Sequence, residues 1–178
     1  MEIRPQVARD ASAVRRVITE AFGDDGRVAD LAEALRARTD VQSSLVAIEH
    51  GLVIGQTHLS ISWVDAAARL VPVLTLSPLA VVTARQSQGV GGRLLADAVA
   101  TAAGLGAPLL FLEGDPAYYS RHGWRAAADF GFTPPSRRIP LPAFQVVTLP
   151  TFDPSSMTGA LVYNDTFWRF DCVGLRAL

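Results

Sequence analysis

The sequence predicts a mixed protein of α/β or α+β type, three layers deep, with a sheet covered by helices. Three observations predict it. Two stretches with helical spacing lead the chain, antiparallel-looking strands with a hairpin signal follow, and a strand–helix–strand unit fills the second half. The chain has 178 residues, 49% of them hydrophobic and 19% charged. That suits a single domain over residues 1–178, with its core over about 1–135 and a C-terminal strand region over about 143–178.

The elements follow in order. "RDASAVRRVITEAFG" repeats Val14, Val17, Ile18 and Ala21 at helical spacing, with Asp10 as N-cap and Gly23 as stop. "RVADLAEALRAR" places Val28, Leu31, Ala32 and Leu35 on one helical face. "SLVAIEHGLVIGQTHLSISWV" reads as two strands joined at His50-Gly51. "RLVPVLTLSPLAVV" is a further strand or pair of strands, with Pro72 and Pro78 expected at a strand end or a bulge. A helix runs from about Val90 to Ala103, its stripe made of Val90, Leu94, Leu95, Ala98 and Val99, and Gly104 and Gly106 end it. "APLLFLEGD" is a short buried strand. "PAYYSRHGW" is a brief helix with Asp115 as cap, Pro116 in the first turn and Gly123 as stop. A proline-rich loop covers Thr133 to Pro142, "FQVVTL" is a strand, and "GALVYNDTFWRF" closes the chain partly as strand.

Composition excludes several function classes. The formal net charge is -1, without the basic surplus that binds nucleic acid. All 16 basic residues are arginine, so no lysine can serve a P-loop or a Schiff base. Cys172 is the only cysteine, and the 3 histidines show no paired ligand spacing, so neither a disulfide framework nor a metal site is expected. No apolar run approaches ~18 residues, so no membrane span is expected. "MEIRPQVARD" lacks the apolar core of a signal peptide, and a cytoplasmic location is the expectation.

The chemistry concentrates in "RQSQGVGGRLLADAV", residues 85–99. Gly89, Gly91 and Gly92 follow a strand and open a helix. The first N–H groups of a helix have no internal acceptor, and the helix dipole places partial positive charge there. Together these form a site for phosphate or another anion. Glycines there also suit a tight turn that packs strand against helix. Two phosphate motifs fail on spacing. G-x-x-x-x-G-K-[ST] lacks its lysine. G-x-G-x-x-G starts at Gly89 and Gly91 but meets Leu94 in place of its third glycine, although Glu113 and Asp115 stand where a ribose-binding acid would. A nucleotide-binding oxidoreductase is therefore the weaker alternative.

A third pattern fits. Gln86-Ser87-Gln88-Gly89-Val90-Gly91 matches Q/R-x-x-G-x-G/A at a strand-to-helix turn, and Tyr119-Ser120-Arg121-His122-Gly123-Trp124 matches a tyrosine followed by x-x-x-G-F, with tryptophan as the aromatic. With "LAVVTA" before them and "IRPQVARDASAVRRVITEAF" at the start, the chain resembles the GNAT family of acyl-CoA-dependent N-acetyltransferases. "GDPAYYSRHGW" and "GALVYNDTFW" are similar to its YhbS-like branch. The resemblance spans nearly the whole chain. It implies a mostly antiparallel central sheet flanked by helices, with a splayed parallel strand pair.

It also implies acetyl-CoA as co-substrate and transfer of an acetyl group to a primary amine of a small molecule or protein. The backbone of Leu79, Ala80 and Val81 would hold the acyl end. Gln86, Ser87, Gln88, Gly89, Val90, Gly91, Gly92 and Arg93 would hold the pyrophosphate, with Arg85 and Arg93 as counter-charges. Tyr119 is the candidate general acid, since a phenol of pKa ~10 is protonated at neutral pH and can donate to a thiolate. Glu113, at a strand end, is the candidate base, or an acid that binds a cationic substrate, or an exposed strand end. His58 and Glu20 are further options for the base. His122 and Arg137-Arg138 read as solvated surface, and Trp63, Phe167 and Trp168 as core or as lining for an acceptor. A homodimer through the C-terminal strand region is compatible with the sequence. The alternative function is a non-catalytic acyl-CoA-binding module.

Overall fold

The computed structural model describes residues 1–23, 25–38 and 40–174. Residues 175–178 of the expected C-terminal strand region lie outside the described residues. The chain forms two compact units, residues 1–60 with 76–100 and residues 61–75 with 101 onward, and two long strands run through both.

The first unit carries β1 (Glu2–Pro5), α1 (Ala11–Phe22), α2 (Arg27–Ala37), β2 (Val41–Glu49), the start of β3 (Leu52–Ala66), the end of β4 (Leu70–Val81) and most of α3 (Val90–Gly104). β1 pairs antiparallel with β2, and β2 with β3. The β2–β3 turn holds His50 and Gly51, both left-handed at φ 48 and φ 78, and Glu49 faces Leu52 across it. Two left-handed turn residues match the right-handed twist of the strands they join, which makes this hairpin the sharpest local signal in the sequence.

The apolar stripe of α1 buries Val14, Val17 and Ile18 against Ala29 and Ala32 of α2 and against Val46, Val53 and Ala80 of the sheet. Each such aliphatic side chain contributes about 1.5–3 kcal/mol on burial. The exposed Arg15 pairs with Asp30 and Glu33 on the same helices contribute about 0–1 kcal/mol each, so the stripe decides the packing. On α3, Val90, Leu94, Leu95 and Ala98 are buried. A Cβ at Gly55 of β3 would stand 3.0 Å from Leu94 Cδ1 and 3.2 Å from Val90 Cγ1, so the missing side chain sets how closely α3 approaches.

The second unit carries the end of β3, the start of β4, β5 (Leu109–Glu113), α4 (Pro116–Tyr119), β6 (Arg125–Ala126), β7 (Phe144–Thr148), β8 (Gly159–Tyr163) and α5 (Asp165–Arg169). β4 and β5 form a short parallel ladder, Leu74 facing Leu110 and Thr75 facing Phe111. β5 pairs antiparallel with β7, and β7 with β6. β8 pairs antiparallel with β3, Ser62 facing Tyr163 and Ala66 facing Gly159. Phe111 stacks on Phe144 at 5.5 Å and meets the edge of Phe132 at 5.1 Å, which fills the core beneath β5. The result is the mixed, mostly antiparallel sheet with one parallel pair and flanking helices that the resemblance implied.

One local expectation needs correction. Asp10 makes no side-chain cap on α1. Its carboxylate instead accepts two bonds from Arg4, at 2.7 and 2.9 Å, and one from the Val7 N–H at 2.8 Å, because a bidentate guanidinium outcompetes a single amide. Pro72 and Pro78 both lie inside β4, Pro72 exposed near its start and Pro78 buried after a cis peptide bond from Ser77. The closing segment is partly strand, as expected: β8 gives way to α5, whose start is capped by the Asn164 side chain accepting from the Thr166 N–H at 2.9 Å.

Candidate active site

In the first unit, β4 ends with half-buried Leu79 and buried Ala80 and Val81. The chain then makes a short 3-10 turn, Thr83–Arg85, whose first N–H is held by Glu20 Oε1 at 2.9 Å. Glu20, one option for a base, is thus occupied in fixing this turn. Gln86 Nε2 reaches back to the Val81 carbonyl at 3.1 Å, and Gln88 Nε2 to the Ala84 carbonyl at 3.0 Å. These side chains therefore brace the loop from behind. Ser87 and Gly89 are left-handed at φ 58 and φ 81, which curls the backbone just ahead of α3. The first main-chain bond into the helix runs from the Arg93 N–H to the Gly89 carbonyl at 3.1 Å. From Ser87 to Gly92, no main-chain N–H meets a main-chain acceptor among the described residues. Gln86 to Gly89 are exposed, so these donors face solvent at the positive end of the helix dipole.

The two nominated counter-charges differ. Arg85 donates from Nε to Glu49 Oε2 at 2.6 Å, so much of its charge is already met. Arg93 is exposed and has no ion pair among the described residues.

Tyr119 and Glu113 belong to the second unit. Asp115 caps α4 by accepting from the Ala117 N–H at 2.8 Å, as its place before Pro116 predicts. The cap sets the turn that lays the Tyr119 ring over Gly114. That ring also meets Tyr118 edge-on at 5.0 Å and Trp124 at 6.1 Å. The Tyr119 hydroxyl has no hydrogen-bond partner among the described residues. Burial, with Tyr118 and Asp115 nearby, pushes this phenol well above its ordinary range, so it stays protonated. Trp124, the aromatic of the second motif, is 1% exposed and belongs to the core.

Glu113 ends β5, and both its oxygens are taken. Oε1 accepts from the Tyr163 hydroxyl at 2.7 Å and Oε2 from the Gly174 N–H at 2.9 Å. Burial raises its pKa, against the two hydrogen bonds and the charge of Arg138, which lower it. Sequence reasoning missed Gly114, Tyr163 and Gly174. Gly114 could have been noticed as a glycine between a strand end and a capped turn. The other two lie 50 and 61 residues from Glu113, and no local pattern ties them to it.

The remaining nominated residues separate clearly. His58 is fully buried, and its pKa falls to about 4 through burial and the charge of Arg36. His122 is exposed and lies against Tyr118. Phe167 is core, stacked on Tyr163 at 4.9 Å, whereas Trp168 is 45% exposed. Among the described residues no group of three or more His, Cys, Asp or Glu is placed to hold a metal ion, and no helix is long and apolar enough to cross a membrane.

A strand that ends in a curled loop of open amides, running directly into a glycine-started helix, defines an α/β fold with an anion site at the strand-to-helix turn. The profile of the Acetyltransferase (GNAT) domain matches residues 2–127. The N-acetyltransferase YjhQ of Escherichia coli K12 is 32% identical over 158 residues, 84% of each chain. YhbS of the same strain is 30% identical over 173 residues, 96% of this chain and 100% of that one. The crystal structure of Escherichia coli YhbS, in complex with CoA, has a TM-score of 0.88 at 27% identity and covers 98% of this chain and 95% of its own. A GNAT acetyltransferase from Brucella melitensis, in complex with acetyl-CoA, has a TM-score of 0.75 at 29% identity over 93% of this chain and 97% of its own. The protein belongs to the GNAT family of N-acetyltransferases, in its YhbS-like branch.

Proposed function

We propose that the protein transfers an acetyl group from acetyl-CoA to a primary amine by direct attack, with Tyr119 as general acid. The observation that carries this reading is the run of open N–H groups from Ser87 to Gly92 at the start of α3. The coenzyme's diphosphate needs donors and positive potential, and this loop supplies both. Arg93 adds a free cation, and the backbone of Leu79, Ala80 and Val81 takes the acyl end. The CoA and acetyl-CoA complexes of the YhbS and Brucella proteins support the choice of co-substrate.

The chemistry follows from bond counting. The amine lone pair forms an N–C bond at the thioester carbonyl, and the carbonyl electrons move to oxygen. Main-chain N–H groups aimed at that oxygen stabilise it. The C–S bond then breaks, and its electron pair leaves on sulfur. The Tyr119 hydroxyl gives sulfur a proton, and its oxygen recovers one from the nitrogen, leaving an amide and a free thiol. A phenol this weakly acidic releases its proton only as it regains another, so the two transfers are coupled. Glu113, with both oxygens engaged, enters as a positioning carboxyl for the β8 and C-terminal backbone rather than as a free base.

The test pairs binding with turnover. Acetyl-CoA and CoA should raise the melting temperature, NAD should not, and thiol release should appear with members of an amine panel. Tyr119→Phe should lower kcat by about 10²–10⁴-fold, the range for a positioned acid, with CoA binding unchanged. CoA binding without thiol release for any amine supports instead a non-catalytic acyl-CoA-binding module. Full turnover in Tyr119→Phe removes the acid role.

A further inference from the structure

One residue of β3 touches both the end of β4 and the start of α3. Gly55 is buried inside the strand, where glycine weakens pairing and often marks a close approach to the backbone. A Cβ there would stand 3.0 Å from Leu94 Cδ1, 3.2 Å from Val90 Cγ1 and 3.2 Å from the Ala80 carbonyl oxygen. The three neighbours differ in what can yield. The Leu94 contact is the far end of a flexible side chain. Ala80 presents main chain. Val90 is β-branched, with one strongly preferred χ1 rotamer in a helix, so its methyl cannot turn aside and its backbone must move.

The residue before Gly55 holds β4 in place. Ala47 faces Gly55 and Ile48 faces Val53, so β3 carries one extra residue, Ile54, in a bulge. The Ile54 carbonyl accepts from the Val82 N–H at 2.9 Å, just past the end of β4. Two adjacent residues of β3 therefore carry the two sides of the coenzyme loop. Ile54 ties down the strand end, and Gly55 gives the helix start its seat.

We propose that Gly55 is a positioning residue for the coenzyme, its bare backbone setting the gap between the end of β4 and the open amides of the loop. The proposal rests on the acetyl-CoA reading and deepens it. One coenzyme molecule takes hold at both places, its acyl end on the backbone of Leu79, Ala80 and Val81 and its diphosphate on the N–H groups from Ser87 to Gly92. The gap must then match the coenzyme. Carbon atoms pack at about 3.5–4.0 Å, so against the 3.2 Å available a Cβ at Gly55 drives Val90 outward by about 0.3–0.8 Å. Val90 is the first residue of α3 and lies within the run of open amides, which move with it while Ala80 stays. N–H···O bonds span about 2.7–3.2 Å, so a shift of that size takes donors out of reach of the diphosphate.

The experiment compares Gly55→Ala, Val90→Ala and Gly55→Ala/Val90→Ala in the full chain. CoA affinity is read by calorimetry, folding by melting temperature, and the loop by the amide resonances of Ser87 to Gly92 without ligand. Gly55→Ala should weaken CoA by about tenfold or more, the effect of misaligning one hydrogen bond to a charged group. Its loop amides should shift. The double variant, which removes the Val90 methyl groups, should bind CoA as Val90→Ala alone does, a non-additive rescue that general destabilisation does not produce. Gly104→Ala, at the far end of α3 with nothing within 4 Å of its Cβ position, should bind CoA as the parent does. A Gly55→Ala chain that folds only in combination with Val90→Ala supports the same seat. A parent that does not bind CoA overturns the coenzyme reading and this proposal with it. A parent that binds, with Gly55→Ala binding equally, overturns this proposal alone. So does a double variant weaker than Val90→Ala by the full Gly55→Ala factor, or one that fails to fold alongside Gly55→Ala.

Discussion

Gly114→Ala should disable the enzyme without touching the coenzyme loop. A Cβ at Gly114 would overlap Tyr119 Cε2 and stand 2.8 Å from Cδ2 and 3.1 Å from Cζ. Carbon atoms pack at about 3.5–4.0 Å, so the ring must retreat by about 1 Å or more. The backbone of Gly114 cannot yield instead. Its N–H donates to the Ala143 carbonyl at 3.0 Å, and its own carbonyl accepts from Gln145 Nε2 at 3.4 Å. The ring meets Trp124 and Tyr118 as it retreats, so its hydroxyl ends displaced. A misplacement of about 1 Å in a catalytic group costs on the order of 10²-fold. Steady-state thiol release should therefore fall by about that factor in Gly114→Ala, with acetyl-CoA affinity retained. The double variant Gly114→Ala/Tyr119→Phe should be no slower than Tyr119→Phe alone, because both changes remove one group. Parental turnover in Gly114→Ala, or a double variant slowed by the product of the two single effects, would refute the reasoning.

Further outcomes follow from the same geometry. Asp10→Asn should cost about 1–2 kcal/mol in urea unfolding at neutral pH, allowing for the partial solvent exposure of Arg4. Arg4 holds the Asp10 carboxyl down at about 2 against an ordinary 3.8, so its contribution is present above pH 3.8 and fades as pH falls towards 2. The variant should lose that acid dependence, and an unchanged acid limb would count against the pair. Glu113 shows the opposite sign. Its folded pKa is raised above 4.5, so wild-type stability is greatest below that value and declines as pH rises through the raised one. Glu113→Gln should melt lower throughout, since its amide faces the Gly174 N–H, but with a flatter dependence on pH. A slope equal to the parent's would show that Glu113 does not titrate as its burial demands. Gly89→Val places a β-branched residue at φ +81, so CoA binding in calorimetry should weaken more than the melting temperature falls. A variant with parental CoA affinity would mean that the loop does not grip the diphosphate.

Much of the fold was legible because its signals are local. Glycine at left-handed positions 23, 51 and 123, the Asp115-Pro116 cap and the alternation from helical to strand period each act over a few residues. The motif at Gln86–Gly91 was legible for the same reason, as the loop is built from its own sequence. The amides it exposes are backbone, so glycine content announces them. Arg85 read as a free charge because nothing near it in sequence reveals Glu49, which lies 36 residues away. Asp10 read as a cap because helix-start statistics do not see Arg4 across the strand-to-helix corner.

The sequence by itself determined the order of elements, the family and the curled loop ahead of α3, because periodicity, turn chemistry and a contiguous motif are properties of neighbours along the chain. Tertiary structure alone decided which charged and polar groups are left with work to do. It engaged Glu113 with Tyr163 and Gly174, laid Tyr119 on Gly114, and buried His58 completely. Those outcomes depend on desolvation and on partners distant in sequence, and both come into being only when the chain packs.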